Sequence, residues 1–265
     1  MSVTTAAPQS DVPGLVYLAL GDSNVYAAPD DCGRCTSYPH LVRDGLVARM
    51  GGPVTLIDAS QHNRLTAAGL LAELTSDNWR DDPYNPVRTE LLPRAAVAGA
   101  DVITLTVSAN SIPWYQDPDT CGAVYDAACV TAIQKLFAVA LDGALTQIAA
   151  LREGRPTAVR VTTFYNDLLV GPEYSPQKFF TAAQIAQGPT TAKAFLDTWN
   201  GAICSIATAH GAVCIDLYRE LNGPNGDAAL PSGYFSPDAG DLGQAGQDRI
   251  AALMDATGWA PLEVG

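Results

Sequence analysis

The chain has 265 residues, 48% of them hydrophobic, enough to bury a full core as one large domain or two small ones. Its net charge is −13 and its 15 Lys and Arg residues are scattered singly, which argues against nucleic acid or anionic membrane as a partner. The longest apolar stretches are strand-length or broken by Asp, Gly or Lys, so the sequence predicts no transmembrane helix.

Residues 1–14 read as a tail. The first strand, Leu15–Leu20, is a β-branched and aliphatic run that ends in Gly21-Asp22-Ser23. A helix follows over Ser37–Met50, with Leu41, Val42, Leu46 and Val47 on one face, then a strand over Val54–Asp58 and a short helix over Thr66–Leu74. Thr75–Arg94 is a long loop rich in Asp, Asn and Pro. The third strand, Val102–Val107, leads into a second long loop, Ile112–Cys129, which carries Trp114 and Tyr115. Next come a helix over Ala127–Arg152, a strand over Ala158–Phe164, a helix over Thr191–His210, a strand over Val213–Leu217 and a closing helix over Gln244–Thr257. Each strand is nearly continuously apolar, as parallel strands covered on both faces are. The alternation predicts a three-layer α/β/α sandwich around a five-stranded parallel sheet, one domain over residues 15–262.

The six cysteines fall in close pairs, Cys32 with Cys35, Cys121 with Cys129 and Cys204 with Cys214. This spacing suggests three local disulfides and an oxidising compartment, although sequence alone leaves other connectivities open. Cys-Gly-Arg-Cys also admits a redox motif, which would want a helix start in a thioredoxin-like unit, or half a zinc site, which would want a second ligand pair. The N-terminus has neither a basic start nor an apolar h-region and is not a signal peptide. The cysteines favour a mature secreted or extracytoplasmic protein.

In an open α/β sheet, ligands bind beyond the carboxyl ends of the strands. Four segments should converge there: Gly21-Asp22-Ser23-Asn24, Ala59 to Thr66, Ser108-Ala109-Asn110-Ser111 and Ser236 to Gly243. Ser23 is a candidate nucleophile, with its own amide at a helix N-terminus available to an oxyanion. The Asn110 side chain and backbone N–H groups around Asn63 or Arg64 are further candidate donors. That is a layout for acyl transfer. The rival assignment for Ser23 is a helix N-cap.

This arrangement resembles the SGNH (GDSL-type) hydrolase family of esterases and lipases over nearly the whole chain. Leu20-Gly21-Asp22-Ser23 matches the family's first block. Val107-Ser108-Ala109-Asn110 matches the third at its Asn, with Ala109 for the usual glycine and Ser111 for the usual Asp. The second-block glycine falls at Asn63 or Arg64 and is absent. The last block has Asp-x-x-His in the family, and here reads Asp238-Ala239-Gly240-Asp241, while Gly243 to Ala251 keeps the family's helix. Tyr165-Asn166 and the ending Gly258-Trp259-Ala260-Pro261-Leu262 look like secreted bacterial members. The resemblance implies a flavodoxin-like fold with Ser23 as nucleophile, and puts Asp238 and Asp241 in the places of the orienting Asp and the general-base His.

A carboxylate normally titrates near pKa ~4, a poor match for a serine hydroxyl. Burial beside Asp22 and Asp238 would raise Asp241, giving a better base that is also more often protonated. Of the three histidines, His62 follows the second strand and is the candidate substitute base. His40, in an amphipathic helix, and His210, ending a helix before Gly211, read as structural. Asp22, Asp238 and Asp241 supply too few oxygens for an expected Ca²⁺ or Mg²⁺ site.

The expected function is serine ester hydrolysis at an altered site, without a cofactor. The expected substrate is a small or lipid-like ester or an acetylated sugar, approached past Trp114 and Tyr115 by a monomeric protein. A non-catalytic binding protein with the same pocket is the alternative. A third reading, an esterase disabled deliberately at Asp241, fits less well because the second and third blocks depart from the family too.

Overall fold

The sheet order explains where a site can form. In the computed structural model, which describes residues 14–26, 32, 34–61, 65–82, 85, 88, 91–112, 127–167, 169, 182–231, 233–235 and 242–262, five parallel strands run in the order β2-β1-β3-β4-β5. They are β1 (Leu15–Gly21), β2 (Val54–Asp58), β3 (Val102–Thr106), β4 (Ala158–Thr162) and β5 (Val213–Ile215). The chain leaves β1 to one side for β2 and crosses back to the other side for β3. The carboxyl ends of β1 and β3 therefore flank the point where strand order reverses, the crevice that binds ligands in doubly wound sheets.

The helices are α1 (Ser23–Tyr26), α2 (Tyr38–Met50), α3 (Ala67–Ser76), α4 (Pro93–Gly99), α5 (Ala127–Arg152), α6 (Ala182–Ala209), α7 (Leu217–Leu221) and α8 (Gln244–Ala256). Packing divides them into two layers. α5 packs on α3, α4 and α6, while α8 packs on α2, which lies against β2. Between them the sheet is apolar: Leu18 and Leu20 of β1 and Ile103 and Leu105 of β3 are wholly buried. Each such side chain contributes about 1.5–3 kcal/mol when withdrawn from water.

Several boundaries differ from the sequence reading for identifiable reasons. β5 stops at Ile215 because the Asp216 side chain accepts the Arg219 amide at 3.1 Å and caps α7. α3 starts where Thr66 Oγ1 accepts the Gly69 amide at 3.0 Å. α4 was hidden at the edge of the Pro-rich loop, with Pro93 opening its first turn. α6 begins at Ala182, nine residues before the Thr191 start read from the sequence, and runs across Pro189.

α5 departs from the expectation about membrane-length segments. By length and composition alone it is long and apolar enough to cross a membrane, with a mean hydropathy of 1.5 over 18 residues. In the fold its Phe137, Leu141, Leu145 and Ile148 are buried.

Candidate active site

The turn after β1 is built by Gly21, Asp22 and Asn24 together. A Cβ on Gly21 would lie 2.1 Å from Val25 Cγ2 and 2.6 Å from the Thr106 carbonyl, so only glycine lets the chain turn this closely against β3. Asp22 donates its amide to the Thr106 carbonyl at 3.0 Å. Its Oδ1 accepts the Asn24 amide at 3.2 Å and the Asn24 Nδ2 at 3.4 Å, while its carbonyl accepts the Val25 amide at 3.0 Å. Asp22 thus caps the single turn of α1. Ser23 is spared the capping role that was its rival assignment, and its side chain is half-buried at the sheet edge. One turn carries little helix dipole, so any help to an anion comes from local N–H groups.

Asp22 is wholly buried. Burial pushes its carboxyl up to about 7, against the opposing pull of the two Asn24 bonds and the Ala109 amide.

The second strand reaches this turn as well. Past Asp58 its ladder with β1 continues, Ala59 N donating to Ala19 O at 2.9 Å and Gln61 N to Gly21 O at 2.8 Å. Gln61, the residue before His62, therefore sits directly beside the serine turn. On the other flank, the chain after β3 folds into a 3₁₀ turn over Ala109–Ser111, placing half-buried Asn110 at the same edge. Ser111 Oγ accepts the Ala67 amide at 3.3 Å and ties this turn to the start of α3.

His62, Asn63, Arg64, Trp114, Tyr115, Asp238 and Asp241 lie outside the described residues. The anchors of the last segment are described. Phe235 and Leu242 form an antiparallel bridge, and Gly243 N donates to Tyr234 O at 2.9 Å. Tyr165 packs its ring edge-on against Phe235 at 6.2 Å and donates its hydroxyl to Asn24 Oδ1 at 2.9 Å. Gln247 of α8, wholly buried, donates to Asn24 O at 3.0 Å and accepts the Tyr38 amide at 2.8 Å. Both ends of the last segment are thereby fastened to the serine turn. Asn24, Tyr38 and Gln247 have no part in the sequence reading as site residues. Asn24 follows the serine, but nothing in spacing or composition marks Gln247 as its partner.

The remaining candidates are structural here. His210 Nε2 lies 2.8 Å from Asp142 Oδ1, joining α6 to α5, and His40 is exposed on α2. Disulfides join Cys32 to Cys35 and Cys204 to Cys214. Cys121 lies outside the described residues, and Cys129 is not a free thiol.

No protein-family model matches the chain, and no curated protein matches it. Solved structures do. The lipase Lip_vut3 from a goat rumen metagenome shares the fold with a TM-score of 0.67 at 19% identity, over 94% of this chain and 100% of that one. An extracellular lipase from Streptomyces rimosus has a TM-score of 0.58 at 16% identity, over 92% and 99%. A catalytic mutant of Axe2, an acetylxylan esterase from Geobacillus stearothermophilus, has a TM-score of 0.57 at 14% identity, over 95% and 98%. At such identities the likeness is one of fold.

Proposed function

We propose that the protein is a serine ester hydrolase of the SGNH type, acting through Ser23 at an altered site. One observation carries this: Ser23 stands at the carboxyl end of β1, beside the reversal in strand order, relieved of capping by Asp22 and flanked by Asn110 from β3. Ser23 Oγ attacks the ester carbonyl, and the oxyanion that forms receives the Ser23 amide and the Asn110 side chain. Collapse of that intermediate expels the alcohol and leaves an acyl-serine, which water hydrolyses. In this reading Asp241, or His62 as a substitute base, takes the Ser23 hydroxyl proton and returns it to the leaving alcohol, while Asp238 stands in sequence where the family has its orienting acid. The solved lipases and esterases that share the fold support ester chemistry. The substrate is a small or lipid-like ester or an acetylated sugar, and the two disulfides support an extracytoplasmic setting.

Asp241 limits the expected rate. Loss of one triad member still leaves roughly 10³–10⁴-fold catalysis over water from oxyanion stabilisation and binding. Hydrolysis of 4-nitrophenyl acetate by the parent, by Ser23→Ala and by Asp241→His tests the reading. Slow hydrolysis that disappears in Ser23→Ala supports it, and a gain in Asp241→His identifies the missing base as the rate limit. Silence in all three would leave a binding protein built on this fold.

A further inference from the structure

Beyond β4 the chain continues through Phe164, Tyr165 and Asn166, all buried, and two side-chain amides stand where ladder partners would. Asn200 of α6 accepts the Phe164 amide at 2.9 Å and donates to the Phe164 carbonyl at 2.8 Å. Asn222, next after α7, accepts the Asn166 amide at 2.7 Å and donates to the Asn166 carbonyl at 3.1 Å. Both asparagines are buried. Burying a polar group is costly unless it is bonded, and each of these amides bonds through both its oxygen and its nitrogen. The fold thus commits two interior polar side chains to the residues on either side of Tyr165, whose backbone is fixed before any substrate arrives. Its ring lies on Phe164 at 4.7 Å as well as edge-on to Phe235.

What this rigid mount presents is the Tyr165 hydroxyl. An asparagine amide can face either way, and the hydroxyl that donates to Asn24 Oδ1 turns Asn24 Nδ2 toward Asp22 Oδ1. The same Asp22 oxygen accepts the Asn24 backbone amide. The Asp22 carboxyl also feels the amide of Ala109, the first residue of the 3₁₀ turn that carries Asn110. A bonded path therefore leads from Tyr165 to both flanks of the site: Ser23 lies between Asp22 and Asn24 in the chain, and Asn110 follows Ala109. Buried hydrogen bonds in series orient and polarise one another. Removing the hydroxyl takes away the donor that distinguishes the two faces of the Asn24 amide, and Asn24 then relaxes together with Asp22.

We infer that Tyr165 is a positioning residue: through Asn24 and Asp22, its hydroxyl sets the placement of the Ser23 amide and the Asn110 side chain. As a link between Tyr165 and these two groups it stands on the hydrogen bonds alone. Its service to acyl transfer rests on the ester hydrolase reading, in which a misplaced oxyanion donor weakens the transition state more than the bound substrate.

Tyr165→Phe removes the hydroxyl and keeps the ring on Phe164 and Phe235. Tyr17→Phe is the control, since it deletes a buried tyrosine hydroxyl bonded to Thr104 Oγ1 at 2.9 Å, outside this path. With 4-nitrophenyl acetate, Tyr165→Phe should lower kcat about tenfold, the rate equivalent of one hydrogen bond, with KM within about twofold of the parent. Tyr17→Phe should leave both constants at the parent's values. An unchanged kcat in Tyr165→Phe, or a rise in KM alone, overturns the proposal. An equal kcat loss in Tyr17→Phe overturns it too, because it marks a general loosening of the fold. Amide NMR reads the link without catalysis: the Ser23 amide and the Asn110 side-chain amide should shift in Tyr165→Phe and stay in place in Tyr17→Phe. Signals that stay in place in Tyr165→Phe overturn the proposal whether or not ester is hydrolysed. A parent that hydrolyses no ester, with both signals moved in Tyr165→Phe, would sink the enzymatic reading and sustain the placement by Tyr165.

Discussion

Asp22 concentrates most of the unusual chemistry at the site. It caps the serine turn with one carboxyl oxygen and is wholly buried. Its folded pKa of about 7 lies above the roughly 3.9 of an unfolded Asp. The folded chain therefore holds that proton more tightly, and the associated stability is full below pH ~4 and is lost as pH rises through 7. An ionised Asp22 would also oppose an oxyanion on the Ser23 amide, so the neutral acid suits the proposed chemistry. Asp22→Asn keeps an acceptor for Asn24 and removes the charge. Its stability relative to the parent should grow between pH 4 and pH 8, by at most about 4 kcal/mol at 1.36 kcal/mol per pKa unit. Urea melts at both pH values measure this. A difference that stays constant with pH would mean that the Asp22 carboxyl is not held neutral in the fold.

At the scale of elements, the question is what holds four segments from distant parts of the chain at one edge. Gln247 answers for α8. Its amide joins Asn24 of the serine turn to Tyr38 at the start of α2, both of them buried. Gln247→Leu keeps the bulk and leaves both groups unpaired, which should cost about 2–6 kcal/mol at 1–3 kcal/mol for each. Chemical denaturation reads that loss. Amide exchange should locate it at α1 and the N-terminus of α2 ahead of the sheet. A variant as stable as the parent would show that the brace between α8 and the serine turn is not under load. The disulfide between Cys204 of α6 and Cys214 of β5 does comparable work on the far side of the sheet, closing a sequence separation of 10. Its loop length corresponds to about 2–3 kcal/mol.

For the whole molecule, a net charge of −13 acts as diffuse self-repulsion, since surface ion pairs such as Arg43 with Asp44, Arg49 with Asp255 and Arg249 with Glu220 are partly exposed and worth little. Raising ionic strength from about 0.01 to 0.15 M shortens the Debye length from roughly 30 to 8 Å and should raise the melting temperature. A fall would mean that local ion pairs outweigh the repulsion. The sequence by itself determined the parallel α/β architecture, because strands covered on both faces are written as nearly continuous apolar runs, and five such runs here alternate with helical patterns. It also determined which residues stand at the strand ends, since Gly21-Asp22-Ser23 and Asn110 follow directly from where β1 and β3 stop. Only the tertiary structure decided that Asp22, and not Ser23, caps α1, that Gln247 and Tyr165 brace Asn24, and that Arg88 and Asn85 fasten the Asp-rich loop to the end of β2. The physical reason is that periodicity records whether a side chain faces apolar surroundings, whereas a hydrogen bond across 223 positions, such as Gln247 to Asn24, leaves no local trace in the chain that makes it.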